Sequence, residues 1–298
     1  MAGAEPGGRD LDTHQRGVVT LLRLRVALLV AAVGAQLVLF SSAATPTYAL
    51  SNGSGAGIGM HGFDTCQDPS QRTAKAWWTN TPWSWIGLYV GGREMACSQP
   101  NLSSAYLNNL RAMGWRFQFI WVGPQAPCSG FGVTFSSNAT TAYSQGQAEA
   151  RSARSKLISL GITNQAKGSP LVFDLEAFNP SSCNALAAAR SFVKGWVDQL
   201  HVAPAQSAGV YGSTCASQLQ SYAGSHQPDF IWGANYDGNQ HTSVMSCVSA
   251  SSWASHQRLK QYIGGHNETW GGVTLNIDTD CSNGPVAPTG GNFSTACS

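Results

Sequence analysis

The chain carries little charge, and this excludes several kinds of partner. Only 11% of its 298 residues are charged, and the formal net charge at pH 7 is +2. No run or patch of lysine and arginine occurs, so no nucleic-acid partner is expected, because such partners need a clustered basic surface. A nearly neutral chain rich in Trp, Tyr, Asn and Gln suits a neutral, hydroxyl-rich ligand better than a polyanion.

Several well-known catalytic motifs are also missing. The chain has neither the Gly-x-Ser-x-Gly elbow of serine hydrolases nor a phosphate-binding loop of the Walker type. Its cysteines form no C-x-x-C pair and no Cys/His cluster with zinc spacing, so neither a metal nor a cofactor is predicted. The seven histidines show no relay spacing, and His61 is expected to be structural.

The chain lacks an apolar run long enough for a membrane span. The run from Val26 to Phe40 is shorter than the roughly 20 residues that a spanning helix needs. Arginines precede it, and small residues with candidate cleavage points at Ala43, Ala44 and Ala49 follow it. This pattern is typical of a secretory signal peptide at 1–49, with an uncleaved signal anchor as the alternative. No adjacent Arg-Arg pair is present, which favours general secretion over twin-arginine export.

Beyond the signal, the sequence predicts a flexible linker at 50–61, one domain at 62–283 and a tail at 284–298. Eight strand-like runs alternate with helices or long loops in that domain, which indicates a parallel sheet. Eight repeats favour a closed (β/α)8 TIM-like barrel, irregular in its second half; an open doubly wound sheet is the alternative. The runs lie near residues 62–66, 85–92, 116–123, 171–174, 208–212, 230–236, 258–263 and 273–278.

The segment 169–178 contains two carboxylates two residues apart, Asp174 and Glu176, directly after an apolar strand. Side chains at this spacing on a strand point to the same face. Burying both costs several kcal/mol per ion unless they are paired, and no Lys or Arg lies nearby in sequence. We therefore interpret the pair as a site, the alternative being that the acids cap backbone amides.

Two further acids, Asp64 and Asp278, also end predicted strands. In a (β/α)8 barrel such ends converge on one face, where catalytic groups are found. Converging carboxylates suit glycoside hydrolysis, which needs a protonated acid and an anionic partner. We predict Glu176 as the acid and Asp174 as the group that stabilises positive charge or steers a substrate N-acetyl group. Asp64 and Asp278 would hold hydroxyls or water, while the sequence leaves open whether Asp280 instead faces solvent.

Aromatic side chains at neighbouring strand ends are candidates for stacking on sugar rings. The alternative is that they belong to the core, as most strand aromatics do. The candidates are Tyr89, Trp121, Tyr211, Trp232 and Tyr262.

Seven short motifs, taken together and in their order along the chain, resemble the glycoside-hydrolase-like domain of secreted actinobacterial proteins. That domain is similar to the family 25 glycoside hydrolases, the Chalaropsis-type lysozymes. The resemblance covers roughly residues 60–283 and implies a TIM-like barrel with peptidoglycan or a related glycan as ligand. The motifs are residues 62–66, 89–92, 122–128, 173–176, 209–212, 261–262 and 276–278.

The resemblance implies the acid at Glu176, its partner at Asp174, and the first- and last-strand acids at Asp64 and Asp278. It places Gln261 among the substrate contacts and implies a hydrolase, with a catalytically inactive glycan-binding barrel as the alternative. The last-strand motif usually continues with Asn two residues on, where this chain has Asp280.

Eight cysteines in an exported chain indicate disulfides. The barrel that the resemblance implies places Cys66 and Cys97 after neighbouring strands, and likewise Cys183 and Cys215, so we predict these two bridges. Cys247 with Cys281 is a further expected pair. We expect the protein to be a secreted or cell-wall-associated monomer.

Overall fold

A computed structural model of the chain describes residues 48–50, 60–164, 167–286 and 297. Residues 1–47 of the predicted signal peptide lie outside the described residues, as do residues 51–59 of the predicted linker and most of the predicted tail. Within the described part of the chain, no helix is both long and apolar enough to cross a membrane.

The described residues form ten strands, four α-helices and one 3-10 helix. In chain order these are β1 (Tyr48–Leu50), β2 (Met60–Asp64), α1 (Gln71–Asn80), β3 (Trp85–Gly91), α2 (Ser104–Met113), β4 (Arg116–Trp121), α3 (Ala139–Ser159), β5 (Ile162–Asn164), β6 (Lys167–Asp174), α4 (Ala185–His201), β7 (Gln206–Ser213), the 3-10 helix (Leu219–Tyr222), β8 (Phe230–Ala234), β9 (Arg258–Trp270) and β10 (Val273–Asn283).

Eight of these strands close into a barrel in the order β10-β2-β3-β4-β6-β7-β8-β9, which confirms the predicted barrel and excludes the open sheet. The short strands β1 and β5 pair separately, in parallel. Helices alternate with the strands through β7, whereas the second half is irregular, as predicted.

The prediction that all eight barrel strands run parallel is wrong for the last one. β10 is antiparallel to both of its neighbours, β9 and β2. The reason is the turn at Gly271 and Gly272, whose φ angles are +57° and +75°. Two consecutive residues with positive φ form a tight hairpin turn, so β9 continues directly into β10 instead of into a helix.

Side chains alternate between the interior of the barrel and the layer beneath the helices. The interior is filled by large apolar groups that include Trp85, Phe230, Trp232 and Val286. Phe119 belongs to the outer layer, which packs against the helices. Fully burying one such side chain contributes roughly 1.5–3 kcal/mol. Because apolar side chains occupy the lower interior, any polar hollow must lie at the mouth.

The described residues of the segment between β8 and β9 form no helix, in keeping with the predicted irregularity of the second half. Two cations on the outer face of β9 hold the segment in place. The Arg258 guanidinium donates to carbonyl oxygens of four residues in this segment, among them Thr242 and Ser249. Lys260 Nζ donates to Asp237 Oδ2 at 2.9 Å and to the Val244 carbonyl at 2.7 Å. Polar contacts therefore cover this part of the barrel in place of an apolar helix face.

The expected Cys66–Cys97 bridge is present, but the other two expected bridges are wrong. The structure instead contains Cys128–Cys183, Cys215–Cys247 and Cys281–Cys297. Three bridges each join loops that follow neighbouring strands. Cys66–Cys97 joins the loops after β2 and β3, Cys128–Cys183 those after β4 and β6, and Cys215–Cys247 those after β7 and β8. Strand adjacency alone does not choose between these pairings, because Cys183 follows β6, whose neighbours β4 and β7 are followed by Cys128 and Cys215.

The described ends of the predicted tail are tied to the domain. Val286 is fully buried in the barrel interior, and Cys297 is bonded to Cys281 on β10.

Candidate functional site

The mouth of the barrel gathers the four predicted acids. Asp64 ends β2 and Asp174 ends β6, and both are almost fully buried. Glu176 follows two residues after Asp174 and is half-buried, on the solvent side of the pair. Asp174 and Glu176 line one cavity together with Tyr89, whose hydroxyl group donates to Asp64.

Asp278 reaches the same mouth by a different route from the one expected. It does not end a parallel strand, because β10 runs in the opposite direction. The antiparallel register places it directly opposite Asp64. Gly87 on β3 leaves room for this acid layer, since a Cβ atom there would lie 2.5 Å from Asp64 Cβ.

A hydrogen-bond network fixes the Asp64 carboxyl group. Tyr89 donates its hydroxyl to Oδ1 at 3.3 Å, and Gln261 Nε2 donates to Oδ2 at 2.6 Å. Gln261 Oε1 accepts from the hydroxyls of Tyr211, at 2.7 Å, and Tyr236, at 2.8 Å. The two tyrosines therefore determine the orientation of the amide, and the amide in turn orients Asp64.

Tyr236 is a site residue that sequence reasoning missed. It lies two residues after β8 and is 61% exposed at the mouth. Its position at the end of the aromatic-rich run 230–236 was the available signal.

Gln125 is a second missed residue, and it sets the backbone around the Asp174–Glu176 pair. Its side chain is fully buried, and Nε2 donates to the carbonyl oxygens of Asp174 at 2.8 Å and Gly123 at 3.1 Å. Its Oε1 accepts the Glu176 backbone N–H at 2.8 Å. One amide thus holds the chain on both sides of Leu175. The motif at 122–128 contained this glutamine, but its sequence gave no indication of these contacts.

Burial makes these carboxyl groups weak acids. It raises the pKa of Asp174 well above its ordinary value, and the charges of Glu176 and Asp64 raise it further. Burial also raises the pKa of Glu176. For Asp64, burial and the nearby Asp278 raise the pKa to about 7, against hydrogen bonds from Gln261 and Tyr89 that lower it. The pKa of Asp278 is raised by burial and opposed by His266. The mouth therefore favours the protonated form of its carboxyl groups more than bulk water does.

The predicted aromatic contacts divide into two groups. Tyr89 and Tyr211 lie at the mouth, as the hydrogen bonds above show. Trp121 points to the outer layer, where Nε1 donates to Glu149 Oε2 at 2.7 Å. Trp232 is 1% exposed in the interior, and Tyr262 packs beside the Cys281–Cys297 bridge. The expectation that these last three contact a sugar is corrected.

Strand alternation is the physical reason for Trp121 and Tyr262, whereas Trp232 faces inward but lies below the mouth, where its indole N–H donates to Asp280. Gln261 faces inward on β9, so its neighbour Tyr262 faces outward, and Ile120 and Trp121 divide in the same way on β4.

A cavity of about 180 Å3 lies beside the acid pair. Asp174, Glu176 and Tyr89 form its polar side, and Met95, Val122 and Phe131 are part of its apolar side. Its composition suits a ligand with both hydroxyl and apolar groups.

One described group combines potential metal ligands, His61 with Cys281 and Cys297. The two cysteines are bonded to each other, so they offer no thiolate to an ion. His61 is partly buried at 3.5 Å from Cys281 Sγ.

Residues 75–282 match the family model described as "Rv2525c-like, glycoside hydrolase-like domain". No curated protein shows a significant match to the chain. Among solved structures, an uncharacterized protein from B. stearothermophilus matches with a TM-score of 0.50 and 18% identity, over 75% of this chain and 96% of that chain. This likeness supports the barrel fold.

Two further solved structures are similar at lower scores. A family 25 glycosyl hydrolase from Bacillus anthracis has a TM-score of 0.48 and 14% identity, over 76% of this chain and 90% of its own. The Mycobacterium tuberculosis Tat-secreted protein Rv2525c in complex with HEPES has a TM-score of 0.47 and 13% identity, over 75% of this chain and 95% of its own.

Proposed function

Because the chain belongs to the Rv2525c-like, glycoside hydrolase-like domain family, we propose that it is a secreted glycoside hydrolase acting on peptidoglycan or a related cell-wall glycan. The observation that carries the proposal is the convergence of Asp64, Asp174, Glu176 and Asp278 at one mouth with raised pKa values. The four disulfides among the described cysteines support export, since such bonds persist in oxidising compartments.

Glu176 is the proposed general acid, because it is the member of the pair on the solvent side, where a leaving oxygen can approach. Asp174 is more deeply buried than Glu176, and burial, with the charges of Glu176 and Asp64, raises the pKa of Asp174 well above its ordinary value. The two carboxyl groups interact, and we propose that the pair shares one proton.

Substrate binding would move that proton to Glu176. A sugar placed over Glu176 removes water from it, which favours its neutral form and leaves Asp174 as the anion. Asp174 Oδ1 is buried and has no hydrogen-bond partner among the described residues. It is therefore available to stabilise developing positive charge or to hold a substrate amide.

The apolar side of the cavity supports N-acetylated sugars as the substrate class. Met95, Val122 and Phe131 lie beside Asp174 and Glu176, where an acetamido methyl group would be shielded from water. Peptidoglycan and chitin-type oligomers both present such a group.

The test is the release of reducing ends from peptidoglycan and from chitin-type oligomers. Replacing a general acid typically lowers the rate by about 10^2- to 10^4-fold, which is the loss expected for Glu176→Gln. The matched control is Glu149→Gln, which makes the same change in the outer layer and retains an acceptor for Trp121. Activity that survives Glu176→Gln unchanged would overturn the assignment of the acid.

A glycan-binding barrel without hydrolysis is the second candidate, favoured by the closed Tyr211–Gln261–Tyr236 network and the small cavity. It predicts saturable binding to insoluble cell wall without cleavage by the wild-type protein. Binding should weaken in Tyr236→Ala, because Tyr236 is an aromatic residue that is 61% exposed at the mouth.

A further inference from the structure

Asp280 is a fully buried acid whose charge state the proposed reaction leaves unassigned. It does not face solvent, as the sequence allowed, because β10 directs it into the barrel one layer below Asp278. Its register partners are Gly62 on β2 and Gln261 on β9.

The two oxygens of Asp280 have different surroundings. Oδ1 accepts the indole N–H of Trp232 at 2.9 Å. Trp232 is held by edge contacts with the rings of Trp85 and Tyr211, at centroid distances of 5.5 and 5.4 Å. Oδ2 is buried and has no hydrogen-bond partner among the described residues. The carboxyl group lies one layer below that of Asp64, because Asp280 pairs with Gly62, two residues before Asp64 on β2.

No cation compensates Asp280 among the described residues. Asp64 on β2 and Asp278 on β10 face it, and both would add negative charge. Tyr262 on β9 is the other ionisable group that interacts with it. Lys260, which precedes Gln261 on β9, faces the opposite side of the sheet and binds Asp237. A charged Asp280 would thus be a buried anion among other acids.

We propose that Asp280 is a neutral carboxylic acid with its proton on Oδ2, which it donates to Asp64 as a positioning residue for that carboxylate. Two carboxylates cannot form a hydrogen bond with each other unless one of them carries a proton. The Trp232 N–H already occupies Oδ1, so the proton belongs on Oδ2. Burial, reinforced by Asp64 and Asp278, raises the pKa of Asp280 well above its ordinary value, in agreement with this assignment.

The consequence is that Asp64 receives three fixed donors, from Tyr89, Gln261 and Asp280. The Asp64–Asp280 pair then carries at most one negative charge. The positioning role rests on the proposed hydrolase function, whereas the location of the proton does not.

The first test is a carbon NMR titration of the wild-type protein labelled at aspartate Cγ. The Asp280 signal should keep the position of a protonated carboxyl throughout the pH range in which Asp64, with a pKa of about 7, titrates. An Asp280 signal at the carboxylate position, or one that follows its own titration in this range, would overturn the proposal.

The second test compares two substitutions. In Asp280→Asn the amide can accept from Trp232 and donate to Asp64. The midpoint of the Asp64 titration should therefore move by less than about half a pH unit. If Asp280 were charged, the same change would remove an anion and lower the midpoint by about one unit or more. Asp280→Leu removes the donor and should raise the midpoint, while Asp198→Asn on α4 is the matched control.

These measurements separate the inference from the proposed function. The titrations of the wild-type protein and of Asp280→Asn decide where the proton lies even if Asp280→Leu does not fold. Neither titration depends on hydrolysis. In an active protein, Asp280→Leu should shift the pH profile of kcat/KM, and Asp280→Asn should restore it. If the wild-type protein hydrolyses no glycan but its Asp280 is protonated, only the positioning role is refuted.

Discussion

Gln125→Leu is the change that most sharply tests how the acid pair is held. The substitution keeps a buried side chain of similar size but removes three hydrogen bonds, with Asp174, Gly123 and Glu176. Each unpaired buried polar group costs about 1–3 kcal/mol, and part of this is recovered by relaxation. We expect a loss of about 2–4 kcal/mol in the free energy of unfolding.

The barrel offers a matched control in Gln118→Leu. Gln118 on β4 is also fully buried, but neither of its amide atoms has a partner among the described residues. The same substitution there removes an unsatisfied group and should be nearly neutral or stabilising. Denaturant unfolding of both variants measures the difference.

Activity provides a second measurement on Gln125→Leu. Release of the Glu176 backbone displaces the proposed acid, and small displacements of a catalytic group cost about 10^2-fold in rate. A Gln125→Leu protein with wild-type stability, or a Gln118→Leu protein that loses as much, would refute this interpretation of the amide contacts.

Two further predictions concern pH and the mouth. The pKa of Asp64 is about 7 in the folded protein against an ordinary value of 3.8, so the folded state holds a proton that the unfolded state releases between about pH 4 and 7. The free energy of unfolding should therefore fall as pH rises through this window, and Asp64→Asn should flatten the slope; an unchanged slope would contradict the assignment. Tyr236→Phe should weaken glycan binding severalfold through loss of its hydrogen bond to Gln261, whereas Trp121→Phe should not. Equal effects in a binding titration would show that the mouth has been wrongly located.

The barrel and the convergence of its acids could be predicted from local sequence. Each strand is a short apolar run, and an acid that ends such a run must reach the mouth once the runs close into a ring. The two-residue period of a strand indicated the Asp174–Glu176 pair, although β6 ends at Asp174 and Gln125 holds the backbone of Glu176 beyond the strand.

The direction of β10 depended on a feature that the alternation of elements does not include. Gly271 and Gly272 form a hairpin turn within a segment that the repeat pattern treated as a connection. Asp278 reached the predicted place because the hairpin register pairs it with Asp64.

Side-chain contacts between distant segments were beyond prediction. Gln125 meets Asp174 and Glu176, and Gln261 meets Asp64, only after the barrel has closed. The inward or outward direction of Trp121 and Tyr262 depends on the parity of one residue within a strand. Strand boundaries read from sequence do not resolve that parity.

The most direct measurement is a crystal structure of the Glu176→Gln variant with a bound oligosaccharide of N-acetylated sugars. The proposed mechanism predicts a sugar in the cavity beside Tyr89, with a glycosidic oxygen about 3 Å from the side chain of residue 176. An oligosaccharide bound elsewhere, or one at the mouth with that side chain out of reach of any glycosidic oxygen, would contradict it.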